Sequence, residues 1–163
     1  MFEQCTQFID GFWREVVTPL DDIHNDSQMI GDLFRKYKEL YLLGSVLEDS
    51  RFKNLMIHAF VGIAKHKQWY PTELATDVYA RTAVGNRLRQ LLVDFHVYSG
   101  QTGWLVNDGA DRDAAVAPAQ FRVDVAHGLY IREMRGYPSP PWENAESRRR
   151  YMEPIDRDRR YLS

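Results

Sequence analysis

Histidine and aspartate are the residues of this chain that could hold a metal ion or transfer protons. The five histidines are His24, His58, His66, His96 and His127. Zinc sites commonly place two histidines one helical turn apart, as in H-E-x-x-H, or pair a histidine with a carboxylate at a set spacing. No such spacing occurs here. We interpret His58 and His96, which lie within helical patterns, as residues at the edge of the core, and we predict no metal site.

Other catalytic patterns are equally weak. Asp108, Asp111 and Asp113 resemble part of a calcium loop, but the central glycine and terminal glutamate of such a loop are absent, so we predict a solvated loop. The chain has no phosphate-binding loop, no G-x-G-x-x-G turn and no G-x-S-x-G elbow. We interpret Cys5 as a packing residue. We therefore expect no catalytic residue and no cofactor, and an enzyme with a site in residues 96–113 is the least favoured alternative.

Arginine residues are concentrated near the end of the chain. The function that such a cluster suggests first is binding to phosphate groups. The arginines are Arg148, Arg149, Arg150, Arg157, Arg159 and Arg160, and the acidic residues among them are Glu146, Glu153, Asp156 and Asp158. Phosphate binding strengthens with the number of unpaired cations, and these acidic neighbours leave few unpaired. We predict a solvated tail, with nucleic-acid binding through this tail as the alternative.

Large aromatic residues give a stronger functional signal. Trp69, Tyr70, Trp104 and Trp142 lie in or beside predicted loops, where large rings are costly to leave in water. Such rings either pack beneath the loops or anchor a partner. We favour packing for Trp104 and Trp142 and leave both interpretations open for Trp69 and Tyr70. The residues that we consider as partner-binding candidates are Trp69, Tyr70, Trp104, Trp142, Arg148, Arg149 and Arg150.

Composition limits the class of protein. The chain has 163 residues, of which 44% are hydrophobic and 27% charged, which is typical of one globular domain. A net charge of -2 gives no general attraction for nucleic acid or anionic membranes. One cysteine allows no internal disulfide, and no apolar run approaches the roughly 18 residues of a membrane span. We expect an intracellular protein, in the nucleus or cytoplasm, with no membrane partner.

Apolar residues recur at spacings of three and four along most of the chain, which predicts amphipathic helices. We predict helices over residues 2–17, 29–47, 50–66, 71–79, 88–99 and 118–135. Asp49 or Ser50 is placed to cap the third of these, and the short turn before it predicts a helical hairpin. The predicted fold is all-α, with about six helices forming one domain over residues 1–136, a polar loop at 100–116 and a proline-rich, then charged tail at 137–163 that packs through Trp142.

Two blocks of sequence, LYLLGSVLEDSRFKNLMIHAF and VYARTAVGNRLRQLLVDFHVYSGQTGWL, resemble the helical region that follows the BTB/POZ fold in a large group of fungal proteins. The matching residues are Tyr41, Leu43, Gly44, Leu47, Phe52, Lys53, Asn54, Tyr79, Thr82, Gly85, Leu88, Arg89, Leu91, Leu92, Val93, Asp94, Trp104 and Leu105. The resemblance covers about residues 33–145, and residues 8–13 are similar to a helix near the close of the BTB fold itself.

The resemblance implies a bundle of helices like the one that follows a BTB domain. It also implies a non-enzymatic interaction or scaffold module, as a subunit or adaptor of an intracellular complex in a nuclear, chromatin-related or transcription-related setting. The partners would be other proteins or further copies of the chain. The first strand and helix through which BTB domains dimerise have no counterpart upstream of Met1, so we do not expect dimerisation or cullin docking of the BTB type.

Overall fold

A computed structural model describes residues 27–68, 70–71, 73–99, 117–136 and 138–155. Helices dominate these ranges, which contain no strand. The helices are α1 (Ser27–Val46), α2 (Ser50–Lys67), α3 (Leu74–Arg81), α4 (Arg87–Ser99), α5 (Ala119–Met134) and α6 (Ala145–Arg148), and a 3-10 turn follows at Arg149–Tyr151. The predicted all-α fold of about six helices is confirmed. The predicted helix at 2–17, the loop at 100–116, Trp69, Trp104 and residues 156–163 lie outside the described residues.

Helices α1 and α2 form the predicted hairpin. The Asp49 carboxylate accepts hydrogen bonds from the backbone N–H groups of Arg51 and Phe52, at 2.9 and 3.0 Å, and so caps the start of α2. A Cβ atom at Gly44 would lie 3.0 Å from side-chain atoms of both Phe52 and Lys53, so this glycine lets the two helices approach closely. The sequence thus determines this hairpin locally, through a cap and a small residue.

More of the surface of α2 is buried than a single apolar face would account for. One face, with apolar residues at spacings of three and four, is buried at Met56, Ala59, Phe60 and Ile63 and half-buried at Phe52 and Leu55. A second set of residues is also buried on this helix: Asn54, Ile57, Val61 and Ala64. Helix α2 therefore contacts other parts of the molecule on more than one side.

Helix α3 begins at Leu74, three residues after Pro71, so this proline precedes the helix instead of occupying its first turn. Two salt bridges tie α3 to α1. Lys38 pairs with Asp77, and Arg81 lies 3.0 Å from a Glu39 carboxylate oxygen. Hydrogen bonding from Lys38 lowers the pKa of Asp77, because it favours the ionised carboxylate.

Helix α4 is the centre of the fold. Gly85 adopts a positive φ of 84° in the turn before it, and the Asn86 side chain accepts a hydrogen bond from the backbone N–H of Leu88 at 2.9 Å. Every side chain in residues 91–97 is buried, including those of Asp94 and His96. A helix that is buried all round needs neighbours on every side, and it cannot show a single apolar stripe.

Helix α5 covers one side of α4. Its inner face buries Phe121 and Val125. A Cβ atom at Gly128 would lie 2.6 Å from Cγ2 of Val97, closer than atoms of this kind approach one another. Gly128 is therefore a point of close contact, and it sets the separation of α4 and α5.

Residues 138–155 fold back over α4. Trp142 and Tyr151, which are 2% and 0% exposed, belong to the same apolar cluster as α1 to α5. The sequence predicted packing through Trp142, and the structure shows it; the short helix α6 follows this residue. In the described ranges, no helix combines the length and apolar character that crossing a bilayer requires.

We predict that Gly128→Ala destabilises the protein, although alanine is the better helix former by about 1 kcal/mol. The added methyl group must push against Val97, which is 1% exposed, and overpacking of this kind costs about 1–3 kcal/mol. Urea unfolding monitored by circular dichroism measures the loss. Because Val97→Ala removes the methyl groups that clash, Gly128→Ala should cost less unfolding free energy in a chain that also carries Val97→Ala. A double variant that loses as much as the two single variants added together would contradict the steric explanation.

Candidate functional site

Two of the aromatic residues considered as partner-binding candidates, Tyr70 and Trp142, lie in one aromatic cluster. The Trp142 ring lies 5.0 Å from Phe95, 5.7 Å from Tyr98 and 5.9 Å from Tyr70, measured between ring centroids. The Tyr70 ring in turn lies 5.3 Å from Phe95. Edge and tilted contacts of this kind stabilise aromatic clusters beyond their burial alone. In this conformation Trp142 points into the core, and Tyr70 is half-buried beside it.

Arg148 and Arg150, two of the arginines considered as partner-binding candidates, hold the C-terminal segment against the fold. Arg148 donates from Nε to the backbone carbonyl of Trp142 at 3.0 Å. Arg150 lies 3.5 Å from the Asp94 carboxylate, and its backbone carbonyl accepts a bond from Arg87 at 3.2 Å. Arg149 is exposed. The cations of Arg148 and Arg150 therefore have partners within the chain.

A buried carboxylate lies where the C-terminal segment crosses α4. The Tyr151 hydroxyl donates to Asp94 Oδ2 at 2.6 Å, and both side chains are almost completely buried. Burial raises the pKa of Asp94, while the Tyr151 bond and the Arg150 charge act in the opposite direction. Burial, followed by the charge of Asp94, raises the pKa of Tyr151, so its hydroxyl remains protonated and able to donate. The pair ties the two elements together.

Glu153 attaches the end of the described segment to α2. Its backbone N–H donates to Asn54 Oδ1 at 2.7 Å, and its carbonyl accepts from Asn54 Nδ2 at 3.0 Å. Lys53 approaches the Glu153 carboxylate at 3.2 Å. Because a single amide side chain satisfies both backbone groups, Asn54 fixes the path of the chain at this point.

A third polar cluster joins α3, α4 and α5. The Tyr79 hydroxyl donates to Asp124 at 2.7 Å, and the Arg89 guanidinium lies 4.4 Å from the centre of the Tyr79 ring. Arg89 also donates to the Thr82 hydroxyl at 2.8 Å and to the carbonyls of Tyr79 and Thr82. Three residues that carry the family resemblance thus stabilise the turn between α3 and α4.

His96 is the histidine placed deepest in the described fold. It is 2% exposed, its Nδ1 lies 2.6 Å from the carbonyl of Leu92, and its ring meets the edge of Phe121 at 5.0 Å. Burial lowers the pKa of His96 from 6.5 to about 4, since charging the ring inside the core is costly. In the part of the chain that the structure describes, no group of three or more His, Cys, Asp or Glu side chains is arranged to hold a metal ion.

Among the described residues, several large apolar side chains are exposed on the outer face of α5. Val123, Tyr130 and Met134 are 61%, 59% and 69% exposed. Ala119 and Ala126 are exposed on the same face, because a rotation of about 100° per residue brings these positions into line. We call Ala119, Val123, Ala126, Tyr130 and Met134 the α5 stripe. The spacing of apolar residues predicted this helix without indicating which of its faces stays exposed.

A smaller apolar patch lies at the end of α1. Leu43, Val46 and Leu47 are 48%, 80% and 63% exposed beside the turn that leads to α2. This patch covers about one helical turn, whereas the α5 stripe runs the length of its helix. The α5 stripe is therefore the stronger candidate for a functional surface.

No protein-family model, no curated protein and no solved structure matches this chain.

Low pH should destabilise the protein through His96. The unfolded chain takes up a proton on this residue near pH 6.5, whereas the folded chain takes it up only near pH 4, so acid favours the unfolded state. We expect this linkage to remove about 3 kcal/mol of unfolding free energy between pH 7 and pH 4. Urea unfolding at a series of pH values should show a smaller loss in His96→Gln. The matched control His66→Gln should follow the wild-type profile, and identical profiles for wild type and His96→Gln would contradict the assignment.

Removing the Tyr151 hydroxyl should destabilise the fold while the ring still fills its place. We expect Tyr151→Phe to cost about 1–3 kcal/mol, because Asp94 loses a hydrogen bond inside the core. Chemical unfolding measures the change. Tyr130→Phe, which removes the same group from an exposed ring, is the control and should be neutral. In an Asp94→Ala background, which has no acceptor for the Tyr151 hydroxyl, the effect of Tyr151→Phe should shrink, and an undiminished effect would mean that the two side chains are not coupled.

Proposed function

We propose that this chain is a non-enzymatic protein–protein interaction module, a subunit or adaptor of an intracellular complex, and that the α5 stripe is its docking surface. The observation that carries the proposal is the exposure of Val123, Tyr130 and Met134 along one face of a helix whose other face is already packed. Continuous exposed apolar surface is a common mark of interaction sites, since water contact with it is costly.

The residue types of the stripe support docking. Tyrosine and methionine are enriched in the buried centres of protein interfaces. Tyr130 supplies a broad ring with few rotatable bonds, and Met134 supplies a side chain that adapts to the opposite surface. A partner helix, or a groove, could bury these two side chains and exclude water from them.

The scaffold behind the stripe supports the proposal as well. On its inner side α5 is fixed by the close contact of Gly128 with Val97 and by the hydrogen bond between Tyr79 and Asp124. A face that is already ordered loses little conformational entropy on binding, so more of the contact energy appears as affinity. The interior aromatic cluster, in contrast, contributes to stability.

The cellular setting belongs to the same proposal. The resemblance to the helical region of fungal BTB/POZ proteins supports a role as an adaptor or scaffold in the nucleus or cytoplasm, in a chromatin-related or transcription-related complex. Nucleic-acid binding through the arginine tail stays the alternative. Arg148 and Arg150 are engaged within the chain, and no observation on the described residues favours the tail over the α5 stripe.

A charged residue in the α5 stripe should abolish partner binding without unfolding the protein. We expect Tyr130→Asp and Val123→Asp each to reduce partner recovery in affinity purification about tenfold or more, because a charge would be buried in the interface. Circular dichroism and urea unfolding should remain close to wild type, since both side chains are exposed.

The control for this experiment is Leu43→Asp, which places the same charge in the apolar patch of α1. It should leave recovery unchanged. If Leu43→Asp abolished recovery while Tyr130→Asp did not, the docking surface would be the end of α1. Recovery that is unaffected by all three substitutions would contradict the proposal.

A further inference from the structure

The size of the side chains in the α5 stripe changes along the helix. The first half carries Ala119 and Val123, the second half carries Tyr130 and Met134, and Ala126 lies between them. Ala119 and Met134 are equally far from the midpoint of residues 126 and 127, and so are Val123 and Tyr130. If two copies of α5 pack face to face and antiparallel, each large side chain meets a small one, and the two alanines near the axis allow close approach.

The charged residues beside the α5 stripe are also placed to suit an antiparallel pair of helices. Arg122 and Glu133 are eleven residues apart, so at about 100° per residue they lie on the same flank of the helix. Both are exposed, and neither forms an ion pair with the described residues. Residues on the same flank meet when two helices pack antiparallel, and they point away from each other when the helices pack parallel. Antiparallel packing therefore places Arg122 beside Glu133 of the other copy, twice by symmetry.

We infer that the partner of the α5 stripe is a second copy of this chain, bound through an antiparallel helix pair whose two-fold axis passes close to Ala126 and His127. The inference rests on the proposed function, which assigns docking to this stripe. The interface is isologous, meaning that the same patch serves both copies. The complementary sizes and the complementary charges are independent properties of the sequence, and both select the same orientation.

The expected dimer is weak. Helix α5 has 16 residues, so its face is about 24 Å long. One helix from each copy buries less than the roughly 800 Å² per partner of a standard interface. We therefore expect association in the micromolar range, which depends on protein concentration.

Site-specific disulfides test the orientation directly in the full chain carrying Cys5→Ser. Ala126→Cys lies next to the axis, so two copies should cross-link under a mild added oxidant. Ala119→Cys is the control on the same face. The two copies of this position lie about 22 Å apart along an antiparallel pair, beyond the roughly 7 Å between Cα atoms that a disulfide can bridge. Cross-linking at Ala126→Cys alone supports the inference. Cross-linking at both positions, or at neither, overturns it.

Charge reversal tests the pairing in solution without cysteines. Sedimentation equilibrium should show that Arg122→Glu and Glu133→Arg each weaken the dimer about tenfold, because each turns two attractive pairs into repulsive ones. The double variant Arg122→Glu with Glu133→Arg should restore wild-type affinity. A chain that is monomeric at all concentrations, or a double variant that stays weak, overturns the inference.

The same variants separate this inference from the proposed function. If the wild-type chain is monomeric but Tyr130→Asp still abolishes recovery of a different protein, the stripe is a docking surface for that protein and only the homodimer is overturned. If the chain is monomeric and Tyr130→Asp has no effect on recovery, both the homodimer and the docking surface are overturned.

Discussion

Helix α4 has no side that meets water along residues 91–97, and this burial governs the arrangement of its neighbours. A short helix surrounded in this way must receive protein on every side. The α3 helix, α5 and the C-terminal segment supply contacts around it. The two polar side chains in the stretch, Asp94 and His96, are stabilised inside by hydrogen bonds with Tyr151 and with the carbonyl of Leu92. The packing of the other elements follows from the need to cover this one helix.

Features set by neighbouring residues could be predicted from the sequence, whereas contacts between residues far apart in the chain could not. The helix positions and the Asp49 cap depend on residues within one or two turns, and the sequence indicated both. The second buried face of α2 and the all-round burial of α4 were not predicted, because an apolar period identifies one face and does not reveal neighbours on the others. The bond between Asn54 and Glu153 joins residues 99 positions apart and has no local signal.

The candidate surface was missed for a related reason. Helix α5 carries apolar residues on two sides, and the structure was needed to show that the face with Phe121 and Val125 is the inner one. Among the predicted partner-binding residues, Tyr70 and Trp142 join the interior cluster, while Arg148 and Arg150 bind the chain itself. The packing favoured for Trp142 is therefore what the structure shows, and the C-terminal segment covers what would otherwise be open surface.

The C-terminal segment also has a consequence for synthesis. Residues 87–99 leave the ribosome well before Trp142 and Tyr151, which cover Phe95 and Asp94. Until those two residues arrive, the nascent chain exposes an aromatic surface and an uncovered carboxylate that the finished protein hides. Such an intermediate is prone to aggregate and is a natural substrate for chaperones that bind emerging chains. A premature stop codon between α5 and Trp142 would make this transient state permanent, so the truncated product would be expected to be degraded even though its first five helices had been made.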